Sequence, residues 1–301
     1  MDSLQVDTSV TLTIQQGCRI YSHANAPFLV DGTLIINGTK QDSVLFTGDR
    51  LDAGYNNLPA SYPGIYFRGT SVDNVLTHTV IQNSNQAISV SNPATNTNPK
   101  LILHRCIINN SAGAGLLCYN TTVNADNSLI SNCGSNIQIV YGGTYNFINC
   151  TVASYSNGNI THKNPVLQVN NYDTASSLTN SLTATFQNCI FWGDYGNVAD
   201  EVVVSKQGSN QFNVLFDHSL YKATNQLENS MSTSTIENTD PGFVNINVSN
   251  FGEASSVYNF HLDSTSVCIG AGNITTSFPL DLDDNTWTAG TNRDIGCYKK
   301  Q

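Results

Sequence analysis

A pattern of about 22 residues recurs along the middle of this 301-residue chain, and that period restricts the fold more than any other feature. Two alternating apolar positions lead into a polar pair, a small residue and a further apolar run. The copies read Val75-Leu76-Thr77-His78-Thr79-Val80-Ile81, Leu101-Ile102-Leu103-His104-Arg105-Cys106-Ile107, Val123-Asn124-Ala125-Asp126-Asn127-Ser128-Leu129 and Tyr145-Asn146-Phe147-Ile148-Asn149-Cys150-Thr151. Two more are Ala184-Thr185-Phe186-Gln187-Asn188-Cys189-Ile190 and Val214-Leu215-Phe216-Asp217-His218-Ser219-Leu220. Aligned on the small residue, they bring Val80, Cys106, Ser128, Cys150, Cys189 and Ser219 together, at spacings of 26, 22, 22, 39 and 30 residues. Such a unit is too short for a propeller blade of about 40 to 45 residues and lacks the leucine and asparagine spacing of a leucine-rich repeat. One coil of a parallel β-helix fits, with loop excursions supplying the longer spacings.

Coil-on-coil stacking also explains the composition. Equivalent side chains of successive coils lie about 4.8 Å apart, so like charges stacked on one another are penalised, whereas amides and hydroxyls bond along the stack. Only 11% of the residues are charged, while Asn (39), Ser (30) and Thr (30) make up about a third of the chain. These residues disfavour helix interiors, and the Val, Ile, Tyr and Phe beside them favour strands. The expected class is therefore all-β. Asn127, Asn149 and Asn188 share the position before the small residue and predict an asparagine ladder.

Shorter runs with the same rhythm fill the N-terminal third: Val10-Thr11-Leu12-Thr13-Ile14, Phe28 to Gly32, Leu34 to Gly38 and Val44 to Gly48. Counted as early coils, they bring the total to about ten to twelve. Residues 49 to 64, 92 to 99 and 155 to 181 read as excursions. Residues 1–239 form the expected helix, and 240–301 a C-terminal closing module packed on the last coils within the same structural domain.

A net charge of −10 gives no basic stripe for nucleic acid. No apolar run approaches the roughly 20 residues of a membrane-spanning helix, and a monomer is expected. The chain opens at Met1-Asp2-Ser3-Leu4 without a signal peptide, and an export segment is expected to have been trimmed away. Eight cysteines without a CxxC pair argue against zinc, and free, buried thiols are expected. Cys268 with Cys297 is the pair to inspect for a disulfide, whereas Cys106 and Cys150, two coils apart, are beyond reach.

The stretches LTIQQGCRIYSHANAPFLVDGTLIINGTKQDSVLFTGDRL and YPGIYFRGTSVDNVLTHTVIQNS, with three C-terminal elements, carry a family resemblance. Those elements are Asp240-Pro241-Gly242-Phe243-Val244, the segment from Leu262 to Gly272, and Asp281-Leu282-Asp283 with Asp294-Ile295-Gly296-Cys297-Tyr298. Together they resemble right-handed parallel β-helix proteins that are secreted or lipid-anchored on bacterial surfaces and end in a DIGxY-type module. The resemblance implies a right-handed solenoid at the outer surface of a bacterium. Where the family commonly has Gly after the second Asp, this chain has Asp284-Asn285-Thr286-Trp287.

Candidate chemistry is sparse. A uronate lyase needs a Lys or Arg base among acidic calcium ligands, and Arg68, Arg105, Lys163 and Lys206 have no such cluster in register. Asn238-Thr239-Asp240 matches one tripeptide of pectin-type hydrolases without the remainder. The repeat alignment stacks His78, His104 and Asp126 outward in three consecutive coils, with Arg105 adjacent, as either a solvated polar ladder or an acid–base, metal- or sugar-binding stack. Asp281, Asp283, Asn285 and Asp294 space oxygens as a Ca²⁺ loop does, or cap backbone amides. Tyr55, Tyr62 and Tyr66 offer sugar-stacking rings. The leading expectation is a non-catalytic carbohydrate-binding or structural surface protein with polysaccharide as partner. The alternative is a glycan-cleaving lyase or glycoside hydrolase using the His/Asp stack.

Overall fold

The computed structural model describes residues 3–194, 198–246, 258–274, 278–288 and 290–301. Among these residues the regular structure is entirely strand, and all but one small sheet is parallel, winding into a three-sided β-helix. The first face includes Phe28–Val30, Ile65–Phe67 and Ile88–Ser91, and the second Thr33–Asn37, Asn74–Thr77, Leu101–His104 and Leu182–Gln187. The third includes Val44–Gly48, Thr79–Gln82, Ile107–Asn109, Leu129–Ser131, Thr151–Tyr155 and Ile190–Asp194. In two central coils the first and second faces are one bent strand, Ala114–Asp126 and Ser135–Ile148. Phe28–Val30, Thr33–Asn37 and Val44–Gly48 are the three sides of a single coil rather than separate coils. The described strands therefore stack in nine coils, fewer than the ten to twelve expected.

Alternation along each strand builds the core. Ile36, Leu76, Leu103, Ala125, Phe147, Phe186 and Phe216 form one inward column of the second face, each no more than 3% exposed. The rings of Phe147, Phe186 and Phe216 stack with centroids 5.5 and 5.0 Å apart.

The corner from the second face to the third needs a left-handed residue. His78, Arg105, Asn127, Asn149, Asn188 and His218 hold φ between 43° and 53°. Asn tolerates this region because its short side chain bonds locally. The ladder forms as expected: Asn149 Nδ2 donates to Asn127 Oδ1 at 3.3 Å and Asn188 Nδ2 to Asn149 Oδ1 at 2.9 Å. At the far end of the third face Asn83, Asn110 and Asn132 make a second left-handed column that the repeat alignment missed. There Asn110 Nδ2 donates to Asn83 Oδ1 at 2.8 Å. All eight cysteines are free, and only Cys18 is exposed.

One alignment step is corrected. Thr77, not His78, pairs with His104, so His78 occupies the corner position of Arg105 and Asn127, and Thr79, not Val80, is the small inward residue. A slip of one residue exchanges the faces of a strand, and the buried side of Thr79 decides the register.

The C-terminal residues lie along the flank of the solenoid. Phe243, Phe260, Leu262, Cys268, Leu282, Ile295 and Cys297 pack on the outward side of the third face, against Leu129, Ala153, Ile190 and Leu220. Gly296 explains its motif: its φ is 105°, and a Cβ there would come within 2.8 Å of Ile190 Cδ1 and Thr151 Oγ1. Beside it Cys297 N donates to Thr151 Oγ1 at 3.1 Å, and Tyr298 stacks on His261 at 3.8 Å.

Candidate functional site

His104 and Asp126 end adjacent strands of the second face, in register, and the His104 Nδ1 contacts Asp126 Oδ2. The Asp126 side chain is 5% exposed and its other oxygen accepts Asn127 Nδ2 at 3.0 Å, which joins the pair to the asparagine ladder. A buried carboxylate on Nδ1 holds the tautomer whose Nε2 lone pair points outward. That Nε2 makes no hydrogen bond with a described residue, and the ring edges Phe278 at 6.1 Å.

His78 belongs to a different cluster. It is 5% exposed under the C-terminal module, where its Nε2 lies 3.0 Å from Arg105 Nε and 3.1 Å from Asp284 Oδ1. Burial lowers its pKa, so the neutral ring accepts from the guanidinium, and Asp284 pairs with Arg105 at 3.4 Å. Next to this cluster Asp283 binds Lys40 and, at 2.7 Å, His261 Nε2. The module thus brings charges to the solenoid that lie more than 200 residues away in the chain.

Upstream of the dyad the second face is open among the described residues. Its outward residues in three consecutive coils are Thr122 and Asn124, Thr144 and Asn146, and Thr183 and Thr185, aligned by strand pairing. Between them lie the inward, buried Val123, Tyr145 and Ala184. None of the six outward side chains hydrogen-bonds a described residue. They form two rows of free hydroxyls and amides with a repeat of about 4.8 Å along the axis and about 6.6 Å along the strand. The row at the strand ends, from His104 and Asp126 to Gln187 and Asp217, abuts the module, where Asn273 Nδ2 donates to Asp217 Oδ2 at 3.3 Å. The free rows therefore border a ledge. The repeat alignment placed Asn124 near the stack but passed over the other five, although Thr-x-Asn, Thr-x-Asn and Thr-x-Thr recur at one repeat position.

The other expected groups are dispersed. Tyr62 is 1% exposed, so no ligand can stack on it; Tyr55 lies under the Arg50 guanidinium at 3.4 Å, and the Tyr66 hydroxyl donates to Pro63 O at 3.2 Å. An aromatic residue in a long loop either plugs the core or faces water, and Tyr62 plugs it. The four expected calcium ligands do not converge. Asp281 accepts the backbone N–H groups of Asp283, Asn285 and Lys299 at 2.9, 2.7 and 2.8 Å, and its second oxygen also accepts Asn285 Nδ2. Asp294 caps Gly270 N and Lys300 N at 2.7 and 2.6 Å. Oxygens already filled by N–H donors are poor metal ligands, and among the described residues no group of three or more His, Cys, Asp or Glu could hold a metal ion.

Among the described residues no helix is long and apolar enough to cross a membrane. No family model, curated protein or solved structure matches the chain.

Proposed function

We propose that this is a secreted or cell-surface protein of a bacterium whose open second face binds a polysaccharide without cleaving it. The observation that carries the reading is the set of six hydroxyl and amide side chains, on Thr122, Asn124, Thr144, Asn146, Thr183 and Thr185, that have no hydrogen-bond partner among the described residues. A flat, repeating array of neutral donors and acceptors suits a hydroxyl-rich polymer lying along the solenoid, and the module ledge gives it one edge. The cleavage chemistry is poorly provided for. The carboxylates of the bordering row, Asp126 and Asp217, are three strands apart, roughly 14 Å, whereas glycosidase pairs sit about 5 to 9.5 Å apart. The test is a glycan array run beside an assay for released reducing or unsaturated ends; array signal without release supports binding.

A hydrolytic or lyase reading draws on one observation, the outward Nε2 of the His104–Asp126 dyad, which is placed as a general base. Release of ends that disappears in His104→Ala would favour it.

A further inference from the structure

We infer that a second site, separate from the open face, lies where the third face turns into the first, and that it takes an acidic sugar. A cleft of about 390 Å³ opens there, within the range of small-molecule sites. Its floor is made of small residues, Gly113, Ala114 and Gly134. One wall is Pro59, from the excursion at residues 49 to 64, and the other runs from Asn159 to Asn164, from the excursion after Thr151–Tyr155. Two loops that leave the solenoid in different coils thus flank a trough over the coils between them.

The second wall is anchored. Asn164 Nδ2 donates to Gly134 O at 2.7 Å. His162 turns away from the cleft into the interior, where its Nε2 meets Glu201 Oε1 at 2.8 Å with the two side chains 1% and 0% exposed. Gly193 makes room for this pair: a Cβ there would lie 2.4 Å from His162 Nε2 and 2.3 Å from Glu201 Oε1. Next to the pinned His162, the exposed Lys163 is one of the residues that line the cleft.

The lining has a marked charge character. The chain carries 22 Asp and Glu against 12 Lys and Arg, yet among the described residues no Asp or Glu lines the cleft, and Lys163 is the one charged residue that does. Neither Lys163 nor Gln138 makes a side-chain hydrogen bond with a described residue, nor do the Asn159 and Thr161 side chains. One free ammonium among free amides and a hydroxyl matches one anionic group on a polyhydroxyl ring, because charge-assisted hydrogen bonds to the anion are the strong contacts and neutral groups orient the rest. The anion is a carboxylate or a phosphate ester, and the probes separate the two.

The experiment is calorimetric titration of the full chain with glucuronate, glucose 6-phosphate, glucose and inorganic phosphate, repeated on K163A, Q138A and the open-face variant T144V. The expected result is binding of glucuronate or glucose 6-phosphate, weakened tenfold or more by K163A and by raised salt, weakened several-fold by Q138A, and unchanged in T144V. Glucose should bind at least tenfold more weakly, and the tighter acidic probe identifies the anion. Absence of binding by both acidic sugars, equal affinity in K163A, or inorganic phosphate binding as tightly as either sugar would overturn the inference. Because T144V reports on the open face alone, loss of one site is distinguishable from loss of the other.

Discussion

The same three coils present two opposite solutions on neighbouring faces. On the third face the outward residues Leu129, Ala153, Ile190 and Trp192 are apolar and, with Thr151 and Ser131 among them, are buried on the side where the C-terminal module packs. On the second face the two outward rows upstream of the strand ends are Thr and Asn, whose side chains have no hydrogen-bond partner among the described residues. Burial patterns record the contrast: Thr151–Tyr155 is buried at every position, while Leu182–Gln187 alternates between buried and open. A solenoid wall is a scaffold that either face could have used for a roof. The difference teaches that the polar face is not the residue of incomplete packing but a surface kept for water or a polar ligand.

The covered face should be the more sensitive of the two. Ile190→Ala removes a fully buried side chain that touches Gly296 of the module, and a loss of about 2 to 5 kcal/mol is expected, read from the denaturant midpoint. The corner between the faces comes next. Asn149→Ala breaks both ladder bonds and puts Ala at a φ of 51°, so about 2 to 4 kcal/mol should be lost. An unchanged midpoint would mean that the ladder follows the fold rather than stabilising it.

The module's charged edge is a smaller lever. The His261 hydrogen bond, with Lys40 adding, holds the Asp283 carboxyl down near about 2. Its ordinary value is about 3.9, so its contribution to stability is present above about pH 4 and disappears as pH falls towards 2. Asp283→Asn should therefore differ from the parent protein at neutral pH by less than about 1 kcal/mol, because both of its partners, His261 and Lys40, are more than a third exposed and solvent screens them. The two melting curves should converge as the pH approaches 2.

Much of the fold was legible in the sequence because stacking repeats one residue's environment in every coil. Phe147, Phe186 and Phe216, and the three ladder asparagines, announce themselves by position. The slip at His78 arose because Thr79 and Val80 both suit a corner, and only long-range pairing to Cys106 and Ile107 selects one. The runs Leu129-Ile130 and Ile190-Phe191-Trp192 signal burial on both sides, but nothing local names the partner that covers them. Lys40 meets Asp283, and His78 and Arg105 meet Asp284, through contacts that no repeat encodes. Of the candidate site, His104 and Asp126 were readable as neighbours in register. The six free side chains were not singled out, since a free hydroxyl and a bonded one look alike until the partners are placed.

The most direct test of the open-face reading is titration of the strongest glycan from the array against the parent protein and a variant carrying Thr144→Val with Asn146→Leu. Both positions face outward, so the melting temperature should scarcely move, as for ordinary surface substitutions within about 0.5 kcal/mol. A fall in affinity of tenfold or more with the fold intact is the predicted result. Undiminished affinity in that folded variant would contradict the account.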